Sequence, residues 1–133
     1  MTISKSIAKW LRQCPYLSLI EDVDTDCLSA ELESYGIFKQ PSGERESFID
    51  GSSEVTEYYT ILTRQSYQLE SERVSNQEFM AKVEDWIYQK EIDGELPKIQ
   101  GIETVEVANS FYLQETENDE GIYQFTIKVV YAK

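Results

Sequence analysis

The sequence predicts an α+β fold: a mostly antiparallel sheet of four or five strands, an N-terminal helix and one amphipathic helix packed on one face. Three observations predict this fold. Strand-like runs flank an Asp-Gly pair at 50–51, which is a strong hairpin signal. An apolar stripe at helical spacing covers residues 75–91. Alternating apolar and polar residues in the segment 102–132 indicate two antiparallel strands.

The chain begins with a predicted helix over residues 2–13. Apolar side chains recur there at i, i+4, i+7 and i+8, starting from Ile3. Thr2 or Ser4 can cap the first turn, since a hydroxyl accepts a hydrogen bond from a free backbone amide. Pro15 ends the helix, because its ring disfavours helical geometry in the preceding residue.

An acidic segment follows that partly matches a calcium-binding loop. Asp22, Asp24 and Asp26 stand at loop positions 1, 3 and 5, and Glu33 stands at position 12. Cys27 replaces the glycine that the sharp turn at position 6 requires. The pattern therefore favours a solvated connection over a cation site, and we assign no metal, cofactor or catalytic residue in the chain.

The middle of the chain reads as a strand, a loop and a long strand. Residues 32–39 are strand-like, and the Pro-Ser-Gly segment at 41–43 is expected to break that strand into a loop. After the turn at 50–51, residues 54–66 form one long strand with apolar side chains on both faces. A strand with two apolar faces is normally covered on both, so we expect it at the centre of the sheet.

The second half of the chain supplies the other helix and a hairpin. Ser75 and Glu78 form a capping box, which predicts that the helix begins at Ser75. Its apolar stripe should pack on the sheet. Residues 102–113 and 122–132 are predicted strands, and the acidic linker between them is expected to be a solvated hairpin tip.

Composition bounds the function. The 133 residues are expected to form a single domain, 1–133. Twelve basic residues face twenty-five acidic ones, and the resulting charge of −13 repels phosphate backbones, so we expect no sequence-specific nucleic-acid binding. With no histidine, Ser-His and Cys-His nucleophile pairs are excluded. The two cysteines, Cys14 and Cys27, are expected to be free thiols in a cytosolic chain, and no apolar run is long enough for a membrane span.

Three passages resemble a known family in their order and spacing: YGIFKQPSGERESFIDGSSEVTEYYTILTRQSY at 35–67, FMAKVEDWIYQK at 79–90 followed by GELPKI, and VEVANSFYLQETENDEGIYQFTIKVVYAK at 105–133. Together they look like small proteins of tailed phages and of prophages in Gram-positive bacteria. These are often labelled minor capsid proteins and are similar to tail-terminator, or tail-completion, proteins. The likeness covers about three-quarters of the chain, and the order of elements carries it.

The resemblance implies a tail-terminator-like fold and a structural role rather than an enzymatic one. Tail-terminator proteins form a ring, usually six-fold, that caps the tail tube and presents a surface to the head connector. The implied partners are other copies of the chain, tail-tube proteins and head-connector proteins. The implied location is the host cytoplasm during assembly and then the head–tail junction of the virion, where an acidic lumen suits the passage of DNA.

A ring needs two different, complementary patches on each copy. We expect one in the 41–53 loop and hairpin and the other in the C-terminal hairpin. The candidate interface residues are Arg45, Phe48, Ile49, Asp50, Gly51 and Tyr58. The apolar members of this set suit contact anchors and intramolecular core equally well.

Other functions are compatible with the sequence. A head–tail connector is a second role within a virion. An acidic inhibitor or DNA mimic belongs to a different class, and it requires carboxylates at phosphate-like spacing on one rigid face; here they are scattered over helices, strands and loops. An enzyme requires a cleft in which carboxylates have perturbed pKa values.

Overall fold

The computed structural model describes residues 2–15, 24–25, 35–66, 70–117 and 120–133. Its elements, in chain order, are α1 (Ile3–Leu11), β1 (Asp24–Thr25), β2 (Tyr35–Ser47), β3 (Ser53–Ser66), α2 (Glu70–Asp93), β4 (Ile102–Glu117) and β5 (Glu120–Ala132). The predicted α+β fold is confirmed. The described strands form a five-stranded sheet in the order β1-β2-β3-β5-β4, in which only the β1–β2 pair is parallel.

β3 is the central strand, as its two apolar faces predict. It pairs with β5 without interruption from Glu54 opposite Ala132 to Ser66 opposite Glu120. Tyr59 belongs to the buried core that also includes residues of both helices, so α1 and α2 pack on the same face of the sheet. The cover expected over the opposite face of β3 is not supplied by either of these helices.

β2 differs from its prediction. Residues 41–43 do not end the strand in a loop, because β2 runs on to Ser47 and remains paired with β3. The pairing register instead shifts between Lys39 and Gly43, as at a β-bulge. β1 pairs only with Gly36 and Ile37, so Pro41 lies beyond that pairing, where its missing amide hydrogen is tolerated.

α2 is longer than the predicted 75–91. It begins at Glu70 and ends at Asp93, so the predicted start at Ser75 is wrong. The segment from Glu70 to Val74 contains no glycine or proline, so its residues are compatible with a helix that begins before Ser75. The predicted stripe does pack on one face of the sheet, where Val83 and Ile87 are fully buried.

α1 begins where the sequence predicts, with the Thr2 hydroxyl accepting a hydrogen bond from the Lys5 amide at 3.2 Å. Trp10, near its end, joins the two helices. The Trp10 and Trp86 ring centroids lie 5.1 Å apart, and the Trp10 indole donates a 2.8 Å hydrogen bond to the Glu95 carbonyl. Residues 3–11 are thereby anchored to the segment that follows α2.

The C-terminal hairpin is also longer than predicted. β4 continues to Glu117 and β5 starts at Glu120, so most of the predicted acidic linker is strand. Gly101, just before β4, has a φ of 77°, which only glycine adopts easily. A methyl group there would lie 2.2 Å from the Ala132 carbonyl oxygen, so the backbone can approach β5 closely only because this residue has no side chain.

Most of the calcium-loop pattern lies outside the described residues, as do Asp22, Asp26 and Glu33. Cys27 lies outside them as well. Asp24 is described, as part of the two-residue strand β1.

Candidate assembly surface

The turn between β2 and β3 exposes apolar side chains. We call residues 48–52 the hairpin tip. Ile49 is fully exposed, with a relative exposure of 109%, and Phe48 is 45% exposed. Isolated exposed apolar residues are common on protein surfaces, whereas here two of them are adjacent at one turn.

Hydrogen bonds fix the shape of the tip. The Phe48 amide donates to the Ser52 carbonyl at 2.8 Å, and the Gly51 amide donates to the Phe48 carbonyl at 3.1 Å. Gly51 has a φ of 90°, which explains glycine at this place. One Asp50 carboxylate oxygen accepts from the Ser52 amide at 3.0 Å and from the Ser52 hydroxyl at 2.6 Å. These bonds lower the pKa of Asp50, so the tip carries a fixed negative charge beside its apolar groups.

The structure brings five of the six candidate interface residues together. Phe48, Ile49, Asp50 and Gly51 form the tip, and Arg45 lies exposed on β2, 3.2 Å from the Ser53 hydroxyl through its guanidinium. Tyr58 is separate from them. It pairs with Lys128 in the middle of the sheet, several residues along β3 from the tip, and is half-buried.

A carboxylate behind the tip ties three strands together. Glu57 on β3 forms a 2.5 Å ion pair with Lys39 of β2 and accepts a 3.3 Å hydrogen bond from the Tyr59 hydroxyl. Tyr131 of β5 also hydrogen-bonds to Glu57. Burial, followed by the effect of Glu57, raises the pKa of both tyrosines, so both hydroxyls stay protonated and donate. Side chains of β2, β3 and β5 are therefore connected through Glu57.

A cleft with two lysines lies at the same end of the sheet as the tip. We call it the basic cleft. It has a volume of about 450 Å³ and is bounded by α1, the segment before β4 and the end of β5. Its lining residues are Ile3, Ser6, Lys98, Ile99, Gln100, Tyr131, Ala132 and Lys133. It combines an apolar floor with positive charge, which is unusual in a chain of net charge −13.

A second cleft lies between α2 and β4, near the other end of the sheet. Its volume is about 370 Å³, and Met80, Leu113 and Tyr123 supply much of its lining. It also contains Arg73 and Glu84, whose opposite charges leave it without a dominant sign. This cleft lacks the charge contrast that marks the basic cleft.

The sheet face opposite the helices is mostly polar. Gln40 donates to the Thr60 hydroxyl at 2.5 Å, and the Thr60 and Thr126 hydroxyls lie 3.2 Å apart, so a polar row crosses three strands. Toward the tip, Glu54 and Glu103 lie close together. The hydrogen bond that protonated Glu54 donates to the Glu103 carboxylate, together with the negative charge of Glu103, raises the pKa of Glu54.

Within the described ranges, no group of three acidic or cysteine side chains is placed to hold a metal ion. Neither α1 nor α2 combines the length and the apolar character that crossing a bilayer requires.

Comparison with known proteins places the fold. No protein-family profile matches the chain, and no curated protein matches it. Among solved structures, the chain is similar to one in the virion of a native gene transfer agent particle. The two share 9% sequence identity and superpose with a TM-score of 0.61, over 99% of this chain and 100% of the other. The likeness shows a common fold.

The sequence predicts the tip residues as contact candidates, which stays a prediction, and it does not predict the basic cleft. The tip is local, because the turn and its apolar residues are consecutive in the chain. The cleft brings together residues from both ends of the chain, Ile3 and Lys133, with Ile99 between them. A weak signal was present, since Lys98 and Ile99 directly follow Pro97 in a segment where a binding loop can form.

Proposed function

We propose that this chain is a non-enzymatic structural protein of a phage or phage-like virion. In this proposal it acts as a tail terminator or minor capsid protein, forming a ring that caps the tail tube and joins the tail to the head. The observation that carries the proposal is the end-to-end likeness to a chain of a virion structure. The fold shared over both full chains supports the family resemblance of the sequence, which was reached on independent grounds.

The surface supports an assembly role. The hairpin tip exposes apolar groups where a contact with another protein would bury them. Tube and connector proteins are the proposed partners, together with further copies of the chain in a ring that is six-fold by analogy with tail terminators. Both helices and four of the strands contribute to one hydrophobic core, which supports residues 1–133 acting as a single domain.

Charge supports a place around a DNA passage. A net charge of −13 disfavours phosphate contacts, so DNA would move past the ring without being held. The proposed location is the host cytoplasm during assembly and then the head–tail junction.

Deletion of the gene from a genome that produces particles tests this proposal. Electron microscopy of the deletion strain should show full heads and free tails of excessive length, because nothing stops tube growth. Tails of normal length detached from full heads would assign the protein to the head–tail connector instead. Intact, infectious particles in normal number would overturn the virion role, and an inhibitor role would then need to be sought. The wild-type gene on a plasmid should restore particles, which controls for effects on neighbouring genes.

A further inference from the structure

The hairpin tip combines two chemical features within three residues. Ile49 presents an apolar side chain that touches almost nothing in its own chain. Asp50 beside it presents a carboxylate held in place by Ser52. Because the turn is closed by backbone hydrogen bonds, both groups project from a preformed shape and lose little conformational freedom when they are bound.

The basic cleft has the complementary pair of features. Ile3 and Ile99 give it apolar walls, and Lys98 and Lys133 give it positive charge. Its volume of about 450 Å³ is within the range of roughly 300–1,000 Å³ typical of pockets for small-molecule ligands, which leaves room for an isoleucine side chain. Only twelve of the 133 residues are basic, and two of them line this cleft, so an acidic group that enters it meets two cationic side chains.

We propose that the hairpin tip of one copy seats in the basic cleft of a second copy, with Ile49 between the apolar walls and Asp50 facing Lys98 and Lys133. This inference rests on the proposed ring and names its interface. Charge favours this occupant, because a copy with a net charge of −13 repels an acidic tip overall, whereas the basic cleft offers it two lysines.

The positions of the two patches suit a head-to-tail contact. Ser53 and Lys133 exchange two backbone hydrogen bonds, of 3.0 and 2.8 Å, so the tip and the cleft lie at the same end of the sheet. They are nevertheless built from different elements, and each copy offers one of each. Because the two patches differ, a contact between the tip of one copy and the cleft of the next is head-to-tail, and contacts of this kind form a ring when the rotation between copies closes.

Disulfide trapping tests the contact directly on the full chain. A double variant with Ile49→Cys and Gln100→Cys places one thiol at the tip and one at the cleft. Under mild oxidation at high protein concentration it should give a ladder of covalent multimers on a non-reducing gel, and reduction should abolish the ladder. A disulfide requires the two Cα atoms to approach within about 7 Å, so random collisions of distant surfaces give little product.

Matched controls use the same chemistry elsewhere. Each single cysteine variant should give no more than dimers, and the unmodified chain controls for its native cysteines. The pair Ile49→Cys and Gln89→Cys places the second thiol on the exposed face of α2 and should give no ladder beyond the single variants. A ladder of equal extent from this pair, or no ladder from the first pair, would overturn the tip–cleft contact.

Binding measurements separate the apolar and charged parts. Ile49→Ser should weaken self-association roughly ten- to a hundredfold, because a buried isoleucine side chain is lost. Asp50→Asn keeps the oxygen that accepts from the Ser52 amide and removes only the charge. Asp50→Asn and Lys98→Gln should each weaken self-association. Because both changes remove the same ion pair, the double variant should bind no less tightly than the single variant with the lower affinity. Ile92→Ser, which alters an isoleucine of α2 that is 60% exposed, should leave association unchanged.

The outcomes distinguish this inference from the proposed function. Suppose that Ile49→Ser still forms rings and the double cysteine variant gives no covalent ladder. The tip–cleft contact would then be refuted, and the ring proposal would stand. A covalent ladder together with normal particles in the deletion strain would support the tip–cleft contact and refute the virion role. If Ile49→Ser and Ile92→Ser weaken association equally, the loss is not specific to the tip and the contact is wrong.

Discussion

The helix-covered face of the sheet and the hairpin tip treat apolar residues in opposite ways. On the covered face, Phe125, Ile127 and Val129 are completely buried beneath the helices. At the tip, Ile49 is completely exposed although it has the same chemistry as Ile127. The fold of one copy therefore depends on the covered face, whereas the apolar groups of the tip are free to serve a contact between molecules.

The largest expected effect comes from a core deletion set against a deletion at the tip. Phe125→Ala should lower the free energy of unfolding by about 3–5 kcal/mol, because it removes a fully buried ring and leaves a cavity. Ile49→Ala should change it by about 0.5 kcal/mol or less. Chemical denaturation measures both, at a protein concentration low enough to keep every variant monomeric. A large loss of unfolding free energy in Ile49→Ala would show that the tip contributes to the core and that the two regions do not differ in this way.

Next in size is a pair of glycine substitutions, one in each region. In Gly101→Ala the new methyl would meet the Ala132 carbonyl oxygen at 2.2 Å, in addition to the strain of a positive φ. We expect a loss of roughly 1–3 kcal/mol. Gly51→Ala has the same kind of backbone strain but open space around it, and its cost should be about 1 kcal/mol. Equal losses in denaturation would show that the close approach at Gly101 does not matter.

These two glycines also show how far sequence reasoning reaches. Gly51 could be assigned to a turn in advance, because Asp-Gly between two strand patterns is a local signal. The role of Gly101 depends on Ala132, thirty-one positions away, and no local pattern reveals it. Other features also depend on contacts between residues that are distant in the sequence. The central place of β3 followed from its own two faces, whereas the bulge in β2 and the position of Tyr58 away from the tip depend on pairing between strands.

The early start of α2 has a different cause. The Ser75–Glu78 capping box is a correct description of residues that favour a helix start, but the helix continues upstream because residues 70–74 are compatible with it. A capping motif marks a position where a helix can begin, and the residues before it decide whether the helix begins earlier.

A smaller effect tests the link between the helices. Trp10→Phe keeps most of the ring packing but removes the indole donor that bonds to the Glu95 carbonyl. We expect a loss of about 1–2 kcal/mol in the free energy of unfolding. Trp86→Phe preserves that hydrogen bond and serves as the control, with a smaller loss in the same denaturation experiment. If the two losses are equal, the bond between Trp10 and Glu95 contributes nothing.

The smallest expected effect concerns pH. Because Glu103 raises the pKa of Glu54, the folded protein binds that proton more tightly than the unfolded chain does. This pair therefore favours folding at low pH, and its contribution falls as pH rises above the ordinary glutamate value of 4.5. Glu103→Gln should raise the melting temperature slightly at neutral pH and less in acid. Glu44→Gln, on exposed β2, is the control and should show no such difference between the two conditions.

Solution mass gives the most direct test of the central claim, that the hairpin tip serves assembly and not folding. Denaturation first establishes that the wild-type chain and Ile49→Asp are equally stable. Light scattering at matched concentration then compares their masses in solution. We expect a closed multiple of 15.4 kDa for the wild type and 15.4 kDa for the variant. The same mass for both proteins, whether monomer or ring, would contradict it.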